Sequence, residues 1–335
     1  MARYDFASDN TAGAMPEVME ALARFNGGFA AGYGDDEMRA KAGDLIRELL
    51  DADAAVYFAA TGTAANAIAL ATLAAPHEAV IVHEHSHIAT DEAGAPGFFG
   101  SGVTLMGRQG ASGRMVAEDV APLLNQPDNP HWPSPAAISL TNATEYGTVY
   151  SAEAMAGLIG PAKTAGLKAH VDGARLANAV AAGLDPKDLG RMGVDILSLG
   201  GTKAGATPTE AIVLFDRALE RRFGARLKHA GQLISKARFL AAPWIGMLED
   251  GAWARRASHA NAMARKLADV MPYPLAHPVE ANAVFVTMDE PARLRLAEEG
   301  WFVYRFIDGS VRFMCSWATT DEGVEALGDA LRRIS

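Results

Sequence analysis

Apolar and polar positions along this chain alternate between two periods. Short apolar runs bounded by polar residues occupy 54–59, 79–82, 103–106, 136–140, 167–171, 194–199 and 211–215, and each reads as a buried strand. Between them lie stretches with helical spacing. Residues 37–50 carry Leu45, Ile46, Leu49 and Leu50 on one face, and Pro16 starts a helix that continues through 25. Thr61 to Asn66 opens an alanine-rich helix reaching residue 73, and Ser151 caps another through 165. Strands alternating with helices predict an α/β large domain with a mainly parallel, seven-stranded sheet.

Beyond residue 215 the pattern changes. A long helical stretch is expected over 221–247 and another helix over 259–270, with strands at 283–288 and 311–317. This predicts a large domain over 1–244, including an N-terminal arm, and a small C-terminal α+β domain over 245–335. Residues 122–135 read as a proline-rich loop, and 27–36 as a glycine-rich loop holding Tyr33.

Several polar residues fall where strands end: Thr63, His87, Asn142, Asp172 and Lys203. In open α/β sheets the ligand lies outside the carboxyl ends of the strands. Lys203 follows an apolar run and the pair Gly200-Gly201, so it stands on a turn at such an end. A desolvated lysine amine is a carbonyl-attacking nucleophile, although a turn lysine by itself is ordinarily a solvated surface group. The turn Thr61-Gly62-Thr63 between a strand and a helix suits an anion, because free backbone N–H groups and the helix dipole face it. It lacks the lysine of a Walker loop and the spacing of a dinucleotide fingerprint.

His83, His85 and His87 alternate, which would put three rings on one side of an extended chain. The spacing lacks the helical H-E-x-x-H pattern, so no metal is expected, and a ring stacked on a flat cofactor is the alternative. An aspartate, a lysine, an anion-binding helix end and a stackable ring are together the parts of a pyridoxal 5'-phosphate site. Arg312, between Val311 and Phe313, faces away from the core and into an interdomain cleft, where a guanidinium binds a substrate carboxylate.

Composition narrows the partners. The chain has 335 residues, 50% of them hydrophobic, with a net charge of −10, which argues against a basic nucleic-acid footprint. A single cysteine, Cys315, leaves no intramolecular disulfide and fits a reducing compartment. The first residues show no basic start before an apolar block, so no signal peptide is expected. No apolar run reaches the roughly 18 residues needed to cross a bilayer. These readings lead to a cytoplasmic protein with a small-molecule partner and neither nucleic acid nor membrane.

The chain also resembles the threonine aldolase family, fold-type I pyridoxal phosphate enzymes of the β-eliminating lyase superfamily with an aspartate aminotransferase-like fold. The pieces are SDNTAG, GYGDD, TGTAAN, HSHI, NPHWP, TNATEYGTVY, HVDGARL, SLGGTKAG and VRF, in family order and across nearly the whole chain. The resemblance implies that Lys203 forms the Schiff base and Asp172 pairs with the pyridinium nitrogen. Gly62 and Thr63 would bind phosphate, and His87 would stack on the ring. Arg175 would approach the cofactor O3′ or the substrate carboxylate, which Ser8 and Arg312 would hold. His131 would lie near the substrate β-hydroxyl, and Tyr33 would reach the cofactor site of a partner subunit. The family often reads T-K-N-G at the lysine turn, whereas this chain has Thr202-Lys203-Ala204-Gly205.

The implied reaction is retro-aldol cleavage of an L-β-hydroxy-α-amino acid, of the L-threonine, L-allo-threonine or phenylserine type, to glycine and an aldehyde. His131, His87 or a histidine-bound water would take the hydroxyl proton. β-Elimination on a related amino acid is the alternative with the same cofactor. Dimers, or dimers of dimers forming a homotetramer with shared active sites, are the expected assembly.

Overall fold

The computed structural model describes residues 2–127 and 129–335. Met1, part of the start read above for a leader, and Asp128, in the expected proline-rich loop, lie outside the described residues. The large sheet contains β1 (Ala55–Ala59), β2 (Glu78–His83), β3 (Thr104–Arg108), β4 (Ser134–Thr141), β5 (Lys168–Gly173), β6 (Ile196–Gly200) and β7 (Glu210–Leu214). Their spatial order is β1-β7-β6-β5-β4-β2-β3. Strands β2 to β6 pair parallel with their neighbours, as the alternation of strand and helix predicts.

β7 runs antiparallel to both β6 and β1. Residues 201–209 join β6 to β7, and a parallel return needs a crossover of about a dozen residues or more. The short connection therefore turns back at the carboxyl edge of the sheet and leaves Lys203 there. Both sheet faces are covered, which explains why the strands read as continuous apolar runs rather than as alternating ones. Val171, Leu197 and Val213 turn to a core shared with α1 (Pro16–Phe25), α2 (Glu37–Leu50) and the helix Arg238–Leu248. Val80, Ile196, Ile212 and Leu214 turn to the opposite core with α3 (Gly62–Leu73). Helix α3 follows β1 directly, so its N-terminus lies at the carboxyl edge of the sheet while the rest of the helix is buried.

A second, antiparallel sheet has the order β8-β10-β9, formed by β8 (Ala283–Val286), β9 (Tyr304–Arg305) and β10 (Val311–Met314). Its core includes Phe313, Trp301, Leu327 and also Phe6, so the N-terminal stretch packs on the small sheet. Residue 245 lies inside the helix Arg238–Leu248, which packs against α1 and α2.

Local expectations differ in three places. The helical stretch 221–247 is interrupted: Phe223–His229 and Arg238–Leu248 are separate helices, with Gly231 at φ 71° between them. The helix expected from 259 begins earlier, as Ala252–Asp269, because Gly251 at φ 65° turns the chain into it. The loop expected from residue 122 starts later, since Ala117–Leu124 is helical with Pro122 inside it. No helix among the described residues is long and apolar enough to cross a membrane.

Candidate active site

The lysine turn presses close to the neighbouring strand. A Cβ at Gly200 would stand 2.3 Å from the Ala174 carbonyl oxygen, and one at Gly201 would stand 2.5 Å from that of Thr209. Only glycine permits this approach, and it brings Lys203 beside the exit of β5. Burial lowers the pKa of the Lys203 amine, and the positive charge of Arg175 lowers it further, against Asp9, Asp172 and Glu210. A neutral, nucleophilic amine is thereby favoured.

Lys203 opens into a cavity of about 320 Å³ lined by Thr61, Gly62, Thr63, Asn66, His87 and Asp172, among others. Asp172 closes β5 and is only 2% exposed. Its Oδ1 accepts from the Ala174 N–H at 3.0 Å, and its Oδ2 accepts from Asn66 Nδ2 at 2.8 Å. Thr61 caps α3 by accepting the Ala64 N–H at 3.2 Å. The first N–H groups of a helix have no carbonyl partner within it, so those of Gly62 and Thr63 are left free to receive an anion.

Across the cavity, the His87 N–H donates to Glu145 Oε1 at 2.7 Å, and its ring Nδ1 lies 2.9 Å from Glu92 Oε1. Asn66 Nδ2 donates to the same Glu92 oxygen at 2.9 Å, which ties the histidine to Asp172 through one amide. The Glu92 hydrogen bond raises the pKa of His87 despite burial. Burial raises Glu92, and the bonds from His87 and Asn66 oppose it. Burial and the charge of Asp172 lift Glu145 to about 6.

The three histidines of the alternating stretch do not share a face, because the chain leaves β2 at His83 and turns. His83 Nε2 contacts the Gly110 carbonyl at 3.1 Å, His85 Nδ1 lies 2.5 Å from the Tyr146 hydroxyl, and only His87 reaches the cavity. Among the described residues no group of three or more His, Cys, Asp and Glu side chains is arranged to hold a metal ion.

The N-terminal stretch completes the wall. Arg175 is held by Asp9 in a two-pronged pair, Nε to Oδ2 at 2.7 Å and Nη2 to Oδ1 at 2.9 Å, and Asn282 donates to Asp9 at 3.2 Å. Burial pushes the Asp9 carboxyl up, but Arg175, Lys203 and Asn282 outweigh it and leave its pKa lowered. Ser8 caps the turn Asp9–Thr11 by accepting the Asn10 N–H at 3.2 Å. Arg312 lies between the rings of Tyr304 and Phe306, at 5.8 and 5.7 Å. Its Nη2 donates to the Ala7 carbonyl at 3.4 Å, while its buried Nε has no hydrogen-bond partner among the described residues.

Of the expected residues, Ser8, Arg175 and Arg312 do not line the cavity itself but gather beside it around Asp9, and His131 and Tyr33 lie elsewhere. His131 is exposed, in the segment before β4, whose residues run from Ser134 at the amino edge to Thr141 at the carboxyl edge. At about 3.3 Å per strand residue, that places it roughly 20 Å or more from the lysine edge. Tyr33 is 52% exposed at φ 60°, with the Lys228 amine 4.9 Å from its ring. Asp9, Asn66, Glu92, Glu145 and Glu210 were not singled out by the sequence reading. Asp9, Asn66 and Glu145 lie within SDNTAG, TGTAAN and TNATEYGTVY; their signal is polarity beside apolar runs that bury them.

The residues present fit pyridoxal 5'-phosphate. A buried amine meets its aldehyde, a buried carboxylate suits its ring nitrogen, and an open helix end suits its phosphate. The partnerless Arg312 Nε, a buried donor, calls for an anion such as a substrate carboxylate. Fold and donor set define a pyridoxal phosphate-dependent enzyme of the α/β class. The chain belongs to the beta-eliminating lyase family, which matches residues 5–291. It is 45% identical to the low specificity L-threonine aldolase of Pseudomonas aeruginosa over 98% of this chain and 97% of that protein. The low specificity L-threonine aldolase of Escherichia coli K12 is 30% identical over 79% of each chain. The solved threonine aldolase of Leishmania major superposes with a TM-score of 0.93 at 30% identity, covering 99% of this chain and 100% of that one.

Proposed function

We propose that this enzyme cleaves L-β-hydroxy-α-amino acids of the L-threonine, L-allo-threonine or phenylserine type between Cα and Cβ, yielding glycine and an aldehyde. The observation that carries the reading is the buried Lys203 amine sharing one cavity with the Asp172 carboxylate and the open end of α3. Aldolases of the same kind among its relatives support it.

Pyridoxal phosphate, when bound, supplies an aldehyde for Lys203 and a protonated ring that withdraws electrons from Cα. Asp172 keeps the ring nitrogen protonated through its negative charge, and Asn66 holds that carboxylate in place. Gly62 and Thr63 hold the phosphate. Arg312 and Ser8 bind the substrate carboxylate and so orient the Cα–Cβ bond. Arg175, with Nε and Nη2 committed to Asp9, offers Nη1 to the cofactor oxygen or the substrate carboxylate. His87, its Nδ1 occupied by Glu92, would lie against the ring and leave Nε2 to take the β-hydroxyl proton, directly or through a water. His131 of the same chain is too distant for that task.

The two halves of the site divide the chain as 1–244 and 245–335, with Lys203 on one and Arg312 on the other. The enzyme works as a cytoplasmic dimer or homotetramer with shared active sites. Tyr33 and the fully exposed Phe29 on the glycine-rich arm supply apolar surface for a second copy. Light scattering tests the assembly, and a monomer overturns it.

Incubation with L-threonine, L-allo-threonine and phenylserine tests the reaction. Glycine plus aldehyde supports aldol cleavage, whereas ammonia plus a keto acid establishes β-elimination. Lys203→Ala is expected to lose both turnover and the visible absorbance of lysine-bound cofactor; retention of both sinks the lysine assignment.

A further inference from the structure

Glu210 is a buried carboxyl that the mechanism above leaves unused. It is the first residue of β7, where register places it opposite Gly200 of β6 on one side and Ala59 of β1 on the other. One neighbour leads into the lysine turn, and the other leads into the anion-binding end of α3. Its Oε2 accepts the Gly201 N–H at 2.8 Å, two residues before Lys203, and the side chain lines the same cavity as the lysine. The adjacent Thr209 is fully buried, and its N–H donates to Thr202 Oγ1 at 3.2 Å, closing the turn from the other side. A strand buried on both faces ordinarily starts with an apolar residue, so an ionisable group at this junction carries a desolvation cost.

We propose that Glu210 is a positioning residue for Lys203: it clamps the lysine turn through Gly201, and its carboxylate charge sets the pH range in which the amine captures an aldehyde. The inference rests on the assignment of Lys203 as the lysine that bonds the cofactor. The titratable and charged groups facing the amine are Arg175 after β5, Asp172 at the end of β5, Asp9 on the N-terminal stretch, Glu210 on β7 and, across the cavity, His87. Those acting on Glu210 are Lys203 and Asp172. Arg175 is tied to Asp9, so this pair's charges largely offset each other beside the lysine. Asp9 is held ionised by Arg175, and Glu210 is the carboxyl beside the lysine that is brought near neutrality. Burial lifts it to about 7. Below that pH it is neutral and Lys203 loses an attractive neighbour; above it, the charge favours the protonated amine. The carboxyl thus opposes the ordinary rise of amine reactivity with pH and broadens the range over which capture proceeds.

The test uses the full chain stripped of cofactor. Pyridoxal phosphate is added across pH 6 to 9, the new carbon–nitrogen bond forms at Lys203 with loss of water, and borohydride hydride reduces it to a secondary amine located by mass spectrometry. Glu210→Gln keeps an oxygen for the Gly201 N–H and removes the charge. The midpoint of its capture profile is expected to fall by about half a pH unit or more, roughly threefold in rate below the midpoint. The wild-type profile is also expected to carry an inflection near 7 that the variant lacks. Glu210→Asp, which keeps the charge but draws it back, is expected to shift the midpoint less, and it replaces the glutamine variant should that one fail to fold. Superposition of the variant and wild-type profiles overturns the proposal. Labelling that persists in Lys203→Ala overturns the lysine assignment instead.

Discussion

Glu92 and His87 are joined by a 2.9 Å contact between a carboxylate oxygen and ring Nδ1, and the glutamate side chain is fully buried. The contact fixes which nitrogen faces the cavity. Replacing Glu92 by Gln weakens the carboxylate hydrogen bond, and removes the smaller charge effect, that raise the pKa of His87. His87 then loses its proton at lower pH, so the acid limb of kcat/KM is expected to move to lower pH, while kcat falls as the ring loses its orientation. For His87→Asn, a loss of about 10²- to 10⁴-fold in kcat is expected. An unchanged pH–rate profile in Glu92→Gln contradicts the pairing.

Asp9 neutralises Arg175 in an environment that excludes water. Truncating Asp9 to Ala leaves a buried guanidinium uncompensated, which costs about 3–5 kcal/mol. Urea unfolding at pH 7 measures it. A loss below about 1 kcal/mol shows the pair to be dispensable. Because Asp9 is held ionised below the usual carboxylate range, its stabilising effect is present above the unfolded-state pKa near 3.8 and disappears as pH falls through the lower folded value.

Beneath the cavity floor, His170 is fully buried between two hydroxyls, with Ser139 Oγ at 2.8 Å from Nδ1 and Ser198 Oγ at 3.0 Å from Nε2. Burial pushes its pKa down from 6.5 to about 4. The folded state therefore prefers the neutral ring. Its contribution is complete above pH 6.5 and drains away as pH falls toward 4, about 3 kcal/mol in all. His170→Gln removes that titration, so a flatter stability curve between those limits is expected from denaturant melts taken at several pH values. A variant curve parallel to the wild-type one places the acid sensitivity elsewhere.

Arg312 presents a planar fork between two aromatic rings. Arg312→Lys keeps a positive charge but loses the two-point geometry. A fall of about 10- to 100-fold in kcat/KM, carried mainly by KM, is expected from losing a charge-assisted hydrogen bond. Steady-state kinetics with glycine release as the readout decide it; an unaltered KM removes Arg312 from substrate binding.

Much of this architecture is legible in the chain because the sheet strands are largely apolar and several lead into polar residues at their carboxyl ends. Lys203, Asp172, His87, Gly62 and Thr63 all fall at such ends and meet in one cavity. Asp9, Glu92 and Glu210 are different. Each is polar for a reason supplied by a partner remote in sequence or across a strand: Arg175, Asn66 and the Gly201 N–H respectively. Spacing along the chain carries no trace of those partners. His131 shows the converse limit, since a motif beside a strand does not reveal which edge of the sheet it occupies.

The antiparallel insertion of β7 between β1 and β6 has a bearing on when the enzyme comes into being. Ala55 pairs with Leu214, and β1 never touches β6 directly. The anion-binding turn is synthesised early, and its strand stays an unpaired edge until the seventh strand has been made and has docked. Contacts of such long sequence separation form slowly. The cup that joins the anion-binding turn to the lysine thus cannot be completed before the chain has been made as far as Leu214.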